Sequence, residues 1–136
     1  MSQAVRIPIA SDADIVAARQ FGRELATEMG FSQTDATMIA TAISEVARNI
    51  TTYAGTGEIV CESVDHNSRQ GLSVVAVDRG PGIGDLDRAL QDGFTTGSGM
   101  GLGLPGSKRL MDDFEIESEP GRGTKVTMRK WLQGRS

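Results

Sequence analysis

The chain has 136 residues, 38% of them hydrophobic and 24% charged, with a formal net charge of −4. That is room for one domain with one core and too little for two comfortable ones, and an acidic balance with only the short basic pairs Lys108-Arg109 and Arg129-Lys130 argues against a nucleic-acid or anionic-membrane surface. No apolar run approaches the roughly 18 residues that span a bilayer, the first residues lack the regions of a signal peptide, and the lone Cys61 excludes an internal disulfide or a Cys-based metal site, so the chain reads as cytoplasmic with Cys61 a small core residue.

Val5, Ile7 and Ile9 alternate with Arg6 and Pro8, the period of a strand with one buried face. Pro8 has no N–H for a ladder, which puts that strand at an edge. Ser11-Asp12 offers a helix cap; Ile15, Ala18, Gly22, Leu25 and Met29 keep helical spacing until Gly30 ends the run. A second helix opens at Ser32 with a carboxylate three residues on, at Asp35. Its apolar face runs through Ala36, Ile39, Ala40, Ile43, Val46, Ala47 and Ile50 to Tyr53-Ala54-Gly55, while Thr41, Glu45 and Asn49 form a polar ridge, each four residues from the next.

Glu58 to Val64 and Leu72 to Asp78 read as strands of a hairpin joined by the polar stretch Asp65 to Gly71, with the lone histidine, His66, on the surface. A short helix from Asp85 to Leu90 and a longer one from about Leu102 to Met111 are expected next. Phe114 to Ser118 and Thr124 to Trp131 close the chain as strands around a tight turn at Glu119 to Gly123. The sum is an α+β two-layer sandwich, a mixed, mostly antiparallel five-stranded sheet with three main helices on one face.

The unusual composition lies between Asp78 and Gly106, where glycines 80, 82, 84, 93, 97, 99, 101, 103 and 106 cluster. Glycine is costly to order, so such a cluster marks backbone that must take positive φ or approach a ligand closely, as in phosphate-handling loops. The Gly101-x-Gly103-x-x-Gly106 spacing matches a dinucleotide fingerprint, but it follows a loop rather than a strand and has no βαβ unit around it. A Walker A sequence and the eukaryotic-type kinase signatures are missing.

Four separated pieces remain: Glu45-x-x-x-Asn49 on a helix, Asp78-x-Gly80-x-Gly82-Ile83 after a strand, Gly99-x-Gly101-Leu102-Gly103-Leu104 opening a helix, and Gly121-x-Gly123-Thr124 entering a strand. In this order they resemble the nucleotide site of the GHKL superfamily, which includes gyrase, Hsp90, MutL and the histidine kinases. The resemblance covers nearly the whole chain and implies one Bergerat-type ATP-binding domain over residues 1–136, with a short ATP lid at about 85–99. It also implies ATP and Mg²⁺ as cofactors.

By that resemblance Asp78 accepts from the adenine amine, with Gly80, Gly82, Ile83 and Thr124 at the same end. The amides of Gly99, Gly101, Leu102 and Gly103 cradle the phosphates at a helix start. Asn49 is the Mg²⁺ ligand, in keeping with the few protein oxygens that ion takes, and Glu45 is the catalytic base. The plainer alternatives are a turn-forming Asp78 and a solvated helix face carrying a Glu45–Arg48 pair.

No helix in this sequence carries a phosphoacceptor histidine and no transducer domain follows, which points to an acceptor on another protein. The segment from Gly93 to Trp131 looks like that of the RsbT-type serine/threonine kinases of the bacterial stressosome. This implies phosphorylation of STAS-domain proteins, RsbS-like and RsbR-like, and partner-switching activation of a PP2C-type, RsbU-like phosphatase. Two alternatives stand beside it: an anti-sigma factor kinase of the SpoIIAB or RsbW type, and a nucleotide-gated binding module with little transfer activity.

Overall fold

Two serines set where the long helices begin. In the computed structural model, which describes residues 4–80, 103–119, 121 and 123–132, Ser11 accepts the Asp14 amide at 3.3 Å and Ser32 accepts the Asp35 amide at 3.1 Å. Each satisfies a donor that a helix start leaves orphaned. Helix α1 (Asp12–Met29) follows the first cap and α2 (Gln33–Tyr53) the second. Gly30 takes φ 102° and donates to the Thr27 carbonyl, while Phe31 donates to Ala26; this paired closure turns the chain sharply from α1 into the α2 cap.

Around the helices run β1 (Val5–Ile9), β2 (Gly57–His66), β3 (Arg69–Asp78), α3 (Gly103–Leu110), β4 (Asp113–Glu119) and β5 (Gly123–Trp131). The five strands form one sheet in the order β1-β2-β3-β5-β4, with β1 at an edge as its proline requires. Among the described residues every pairing is antiparallel, so the mixed, mostly antiparallel sheet expected from the sequence is antiparallel throughout these strands.

The β2–β3 hairpin is tighter than the sequence suggests. Asp65↔Gln70 and His66↔Arg69 are ladder pairs, leaving Asn67 and Ser68 as a two-residue turn with φ 53° and 67°. Positive φ at both turn positions matches the twist of the flanking strands, and Asn tolerates it well. The polarity of 65–70 therefore reflects solvent around a hairpin end, not a long loop.

The core lies between the sheet and α2. All seven apolar positions read from the α2 sequence are buried, and all but Ala40 share one core cluster with Ile59, Cys61, Leu72, Val74, Ala76, Val126 and Met128 of the sheet. Helix α1 adds Ile15, Ala18 and Ala26. It crosses α2 at Gly22, where an added Cβ would overlap the Ile43 side chain, so this glycine serves close helix packing.

Candidate active site

One cross-strand row organises the candidate site. Ile9 pairs with Gly57, Gly57 with Asp78, Asp78 with Thr124, and Thr124 with Ser118, so five strands contribute one residue each at the same end of the sheet. Residues in register share a face. Asp78, the last residue of β3, is 6% exposed and Thr124 is 6% exposed.

Charges are seldom buried without partners. The Asp78 Oδ1 accepts the Gly80 amide at 2.9 Å, closing a turn over its own strand end. An ionised carboxylate has about four acceptor positions, so this bond leaves capacity for an outside donor. The turn-forming role is thus real and occupies one oxygen. Beside it Ser118 donates to the Gly123 carbonyl at 3.2 Å and lies 2.9 Å from the Thr124 hydroxyl. Ser118 escapes a sequence reading because it is brought to Thr124 by the β4–β5 register.

Three glycines crowd this row for packing reasons. A Cβ on Gly57 would lie 2.8 Å from Ile50 and 3.1 Å from the Asp78 Cβ; one on Gly80 would lie 2.8 Å from the Ala54 Cα. One on Gly123, which has φ 95°, would run into the Asp78 carbonyl. These contacts seat the end of β3 against the C-terminal part of α2. They also give Gly80 a role in packing that needs no ligand.

On α2, Glu45 is 8% exposed and its Oε1 accepts from the Arg48 guanidinium at 3.3 Å. The ion pair expected of a plain helix surface is present, yet Glu45 itself is buried, unlike a solvated residue. Asn49 is half-buried one turn further on, next to Ile50, whose side chain faces the same Gly57 position as Asp78. Helix α3 is tied to α2 upstream of these residues: the fully buried Ser107 donates to the Ala42 carbonyl at 3.4 Å.

A cavity of about 340 Å³ opens at this end of the sheet, with Asp78, Ser118, Gly123 and Thr124 among its lining residues. Gly82, Ile83, Gly99, Gly101, Leu102 and the expected lid at 85–99 lie outside the described residues, and Gly103 enters only as the first residue of α3. Among the described residues no group of three or more His, Cys, Asp or Glu could hold a metal ion. A lone Asn49 oxygen suits Mg²⁺ that is held chiefly by phosphates and water.

Residues 9–130 match the family model of the histidine kinase-like ATPase domain. The chain belongs to that family. Within it the branch is the RsbT-type serine/threonine kinases: the chain is 50% identical over 127 residues to the serine/threonine-protein kinase RsbT of Bacillus subtilis, covering 93% of this chain and 96% of that one. An anti-sigma F factor of Thermoanaerobacter sp. is 33% identical over 98 residues, covering 69% of this chain and 68% of the relative. Among solved structures, the RsbU and RsbW domains of a Mycobacterium tuberculosis protein align with a TM-score of 0.65 at 20% identity, over 99% of this chain and 34% of that one, a likeness of fold. For a kinase of this family the cofactor is ATP, and the antiparallel five-stranded sheet with its helices is the fold that the GHKL resemblance implies.

Proposed function

We propose that this RsbT-type kinase transfers the γ-phosphoryl group of ATP to a serine or threonine of STAS-domain regulatory proteins, RsbS-like and RsbR-like. Freed from them, it engages and activates a PP2C-type, RsbU-like phosphatase. The observation that carries the reading is the buried Glu45 on the same helix whose end packs beside the buried Asp78. The 50% identity, running through nearly all of both chains, supports the choice of acceptor class.

In this reading residues 1–136 form one nucleotide-binding domain with 85–99 as its lid. Asp78 and Thr124 receive the adenine end, Gly80, Gly82 and Ile83 shape the backbone around it, and the amides of Gly99, Gly101, Leu102 and Gly103 hold the phosphates. Asn49 would hold Mg²⁺, which supplies charge neutralisation when bound. Glu45 takes the proton from the acceptor hydroxyl as the new O–P bond forms and the bond between the γ-phosphorus and the β–γ bridging oxygen breaks, releasing ADP. Arg48, held against Glu45, keeps that carboxylate oriented.

In this reading the kinase works in the cytoplasm with its partners. Among the described residues no helix is long and apolar enough to cross a membrane. The deciding experiment is incubation with labelled ATP and purified STAS-domain and sigma-factor partners. Label on a serine or threonine of the STAS protein supports the proposal. A second reading, an anti-sigma factor kinase, is favoured by the 33% identity to anti-sigma F factors, and stable capture of a sigma factor would select it. Nucleotide-dependent partner binding with no labelled residue would leave a nucleotide-gated binding module.

A further inference from the structure

Lysine is among the residues least often found buried, and taking its ammonium out of water is costly unless partners compensate. Lys130 is 8% exposed. It sits near the end of β5, opposite Leu72, on the face that packs against the helices. Its Nζ donates to the Leu110 carbonyl at 2.9 Å and lies 3.9 Å from an Asp112 oxygen. Leu110 is the last residue of α3, so the ammonium caps the negative end of that helix and satisfies a carbonyl that the helix leaves orphaned.

Asp112 completes the connection. Its amide donates to the Arg129 carbonyl at 2.9 Å, and its Oδ2 accepts the Trp131 amide at 2.8 Å. The turn after α3 is thereby bonded to β5 on either side of Lys130. An eight-residue helix is too short to hold itself, so its placement depends on such attachments.

Near its other end the same strand carries Thr124, in register with Asp78. Strand β5 therefore connects the row that would receive adenine with the tail of the helix whose start would receive phosphates. From this we infer that Lys130 is a positioning residue for nucleotide binding: it pins α3 to β5 and so fixes the spacing between base and phosphate sites. The inference rests on the nucleotide reading above.

The test compares Lys130→Met, which fills similar volume without a donor, with Lys130→Arg and with Ile15→Ala, a core change on α1 remote from α3. Affinities for Mg²⁺-ATP and for adenosine are measured separately, together with melting temperature. Lys130→Met is expected to weaken ATP about tenfold and adenosine by less than about twofold, with Lys130→Arg restoring most of the ATP affinity and Ile15→Ala lowering the melting temperature without that split. Equal weakening of both ligands, or none, overturns the proposal.

Hydrogen exchange of residues 107–110 in nucleotide-free protein gives a reading independent of the nucleotide site: protection should fall in Lys130→Met, and unchanged protection overturns the latch. If wild-type protein binds neither ligand, the nucleotide reading fails while the exchange result still judges the latch. Should Lys130→Met not fold, Asp112→Ala at the exposed side of the same latch is measured by the same criteria.

Discussion

At the scale of single residues, Asp78 answers to two demands that one substitution can separate. Asparagine keeps an oxygen for the Gly80 amide but replaces a carboxylate acceptor with a donor where an adenine amine would sit. Asp78→Asn is therefore expected to fold, with a greatly reduced melting shift in Mg²⁺-ATP, whereas wild type gains about 2.7 kcal/mol at a hundredfold excess over Kd. Glu45→Ala should show the reverse pattern, with ATP-induced stabilisation kept and transfer to the partner reduced about 10²- to 10⁴-fold, since a positioned base contributes that much; an unchanged rate of labelling excludes Glu45 as the base. Gly123 has no such latitude. Its φ of 95° and the nearby Asp78 carbonyl leave no place for a methyl group, so Gly123→Ala should cost about 2 kcal/mol or more in chemical denaturation.

At the scale of elements, what the sequence reveals and what it hides have separate physical sources. The caps at Ser11 and Ser32, the left-handed Gly30 and the apolar face of α2 are local, each set by residues within a few positions, and each is found where the pattern puts it. The register between strands is not local: it decides that Ser118 reaches Thr124 and that Lys130 reaches Leu110, and no spacing in the chain encodes either meeting. The burial of Glu45 belongs with these, because it depends on what packs over α2. The two-residue turn of the β2–β3 hairpin is hidden for a further reason, since polar ladder residues at a solvent-facing end look like loop. Its turn offers a test: Ser68 has φ 67°, which glycine adopts without penalty, so Ser68→Gly should raise stability by about 0.5 to 1 kcal/mol without changing the slope of a denaturant curve. A loss of stability would mean the turn is not of this two-residue form.

At the scale of the whole molecule, Cys61 reports on the fold as a unit. It is fully buried at the middle of β2, between Val5 on β1 and Val74 on β3, and burial pushes its thiol up from an ordinary 9.0 to about 12. The thiolate is the reactive form, so near neutral pH the native thiol is both shielded and protonated, and labelling must pass through opening of the sheet. The folded state holds this proton more tightly than the unfolded state; the associated stability is full below 9.0 and is lost as pH rises towards about 12. Labelling by a thiol reagent at pH 8 should then be slow and should follow denaturant as global unfolding does. Because ATP binds the native state, a hundredfold excess over Kd should slow labelling about 100-fold when reclosing outpaces reaction. Asp78→Asn should abolish most of that protection, although Asp78 lies outside the pairs that enclose Cys61. Rapid labelling unaffected by ATP would show that β2 opens on its own, and that the Asp78 row and the core do not unfold together.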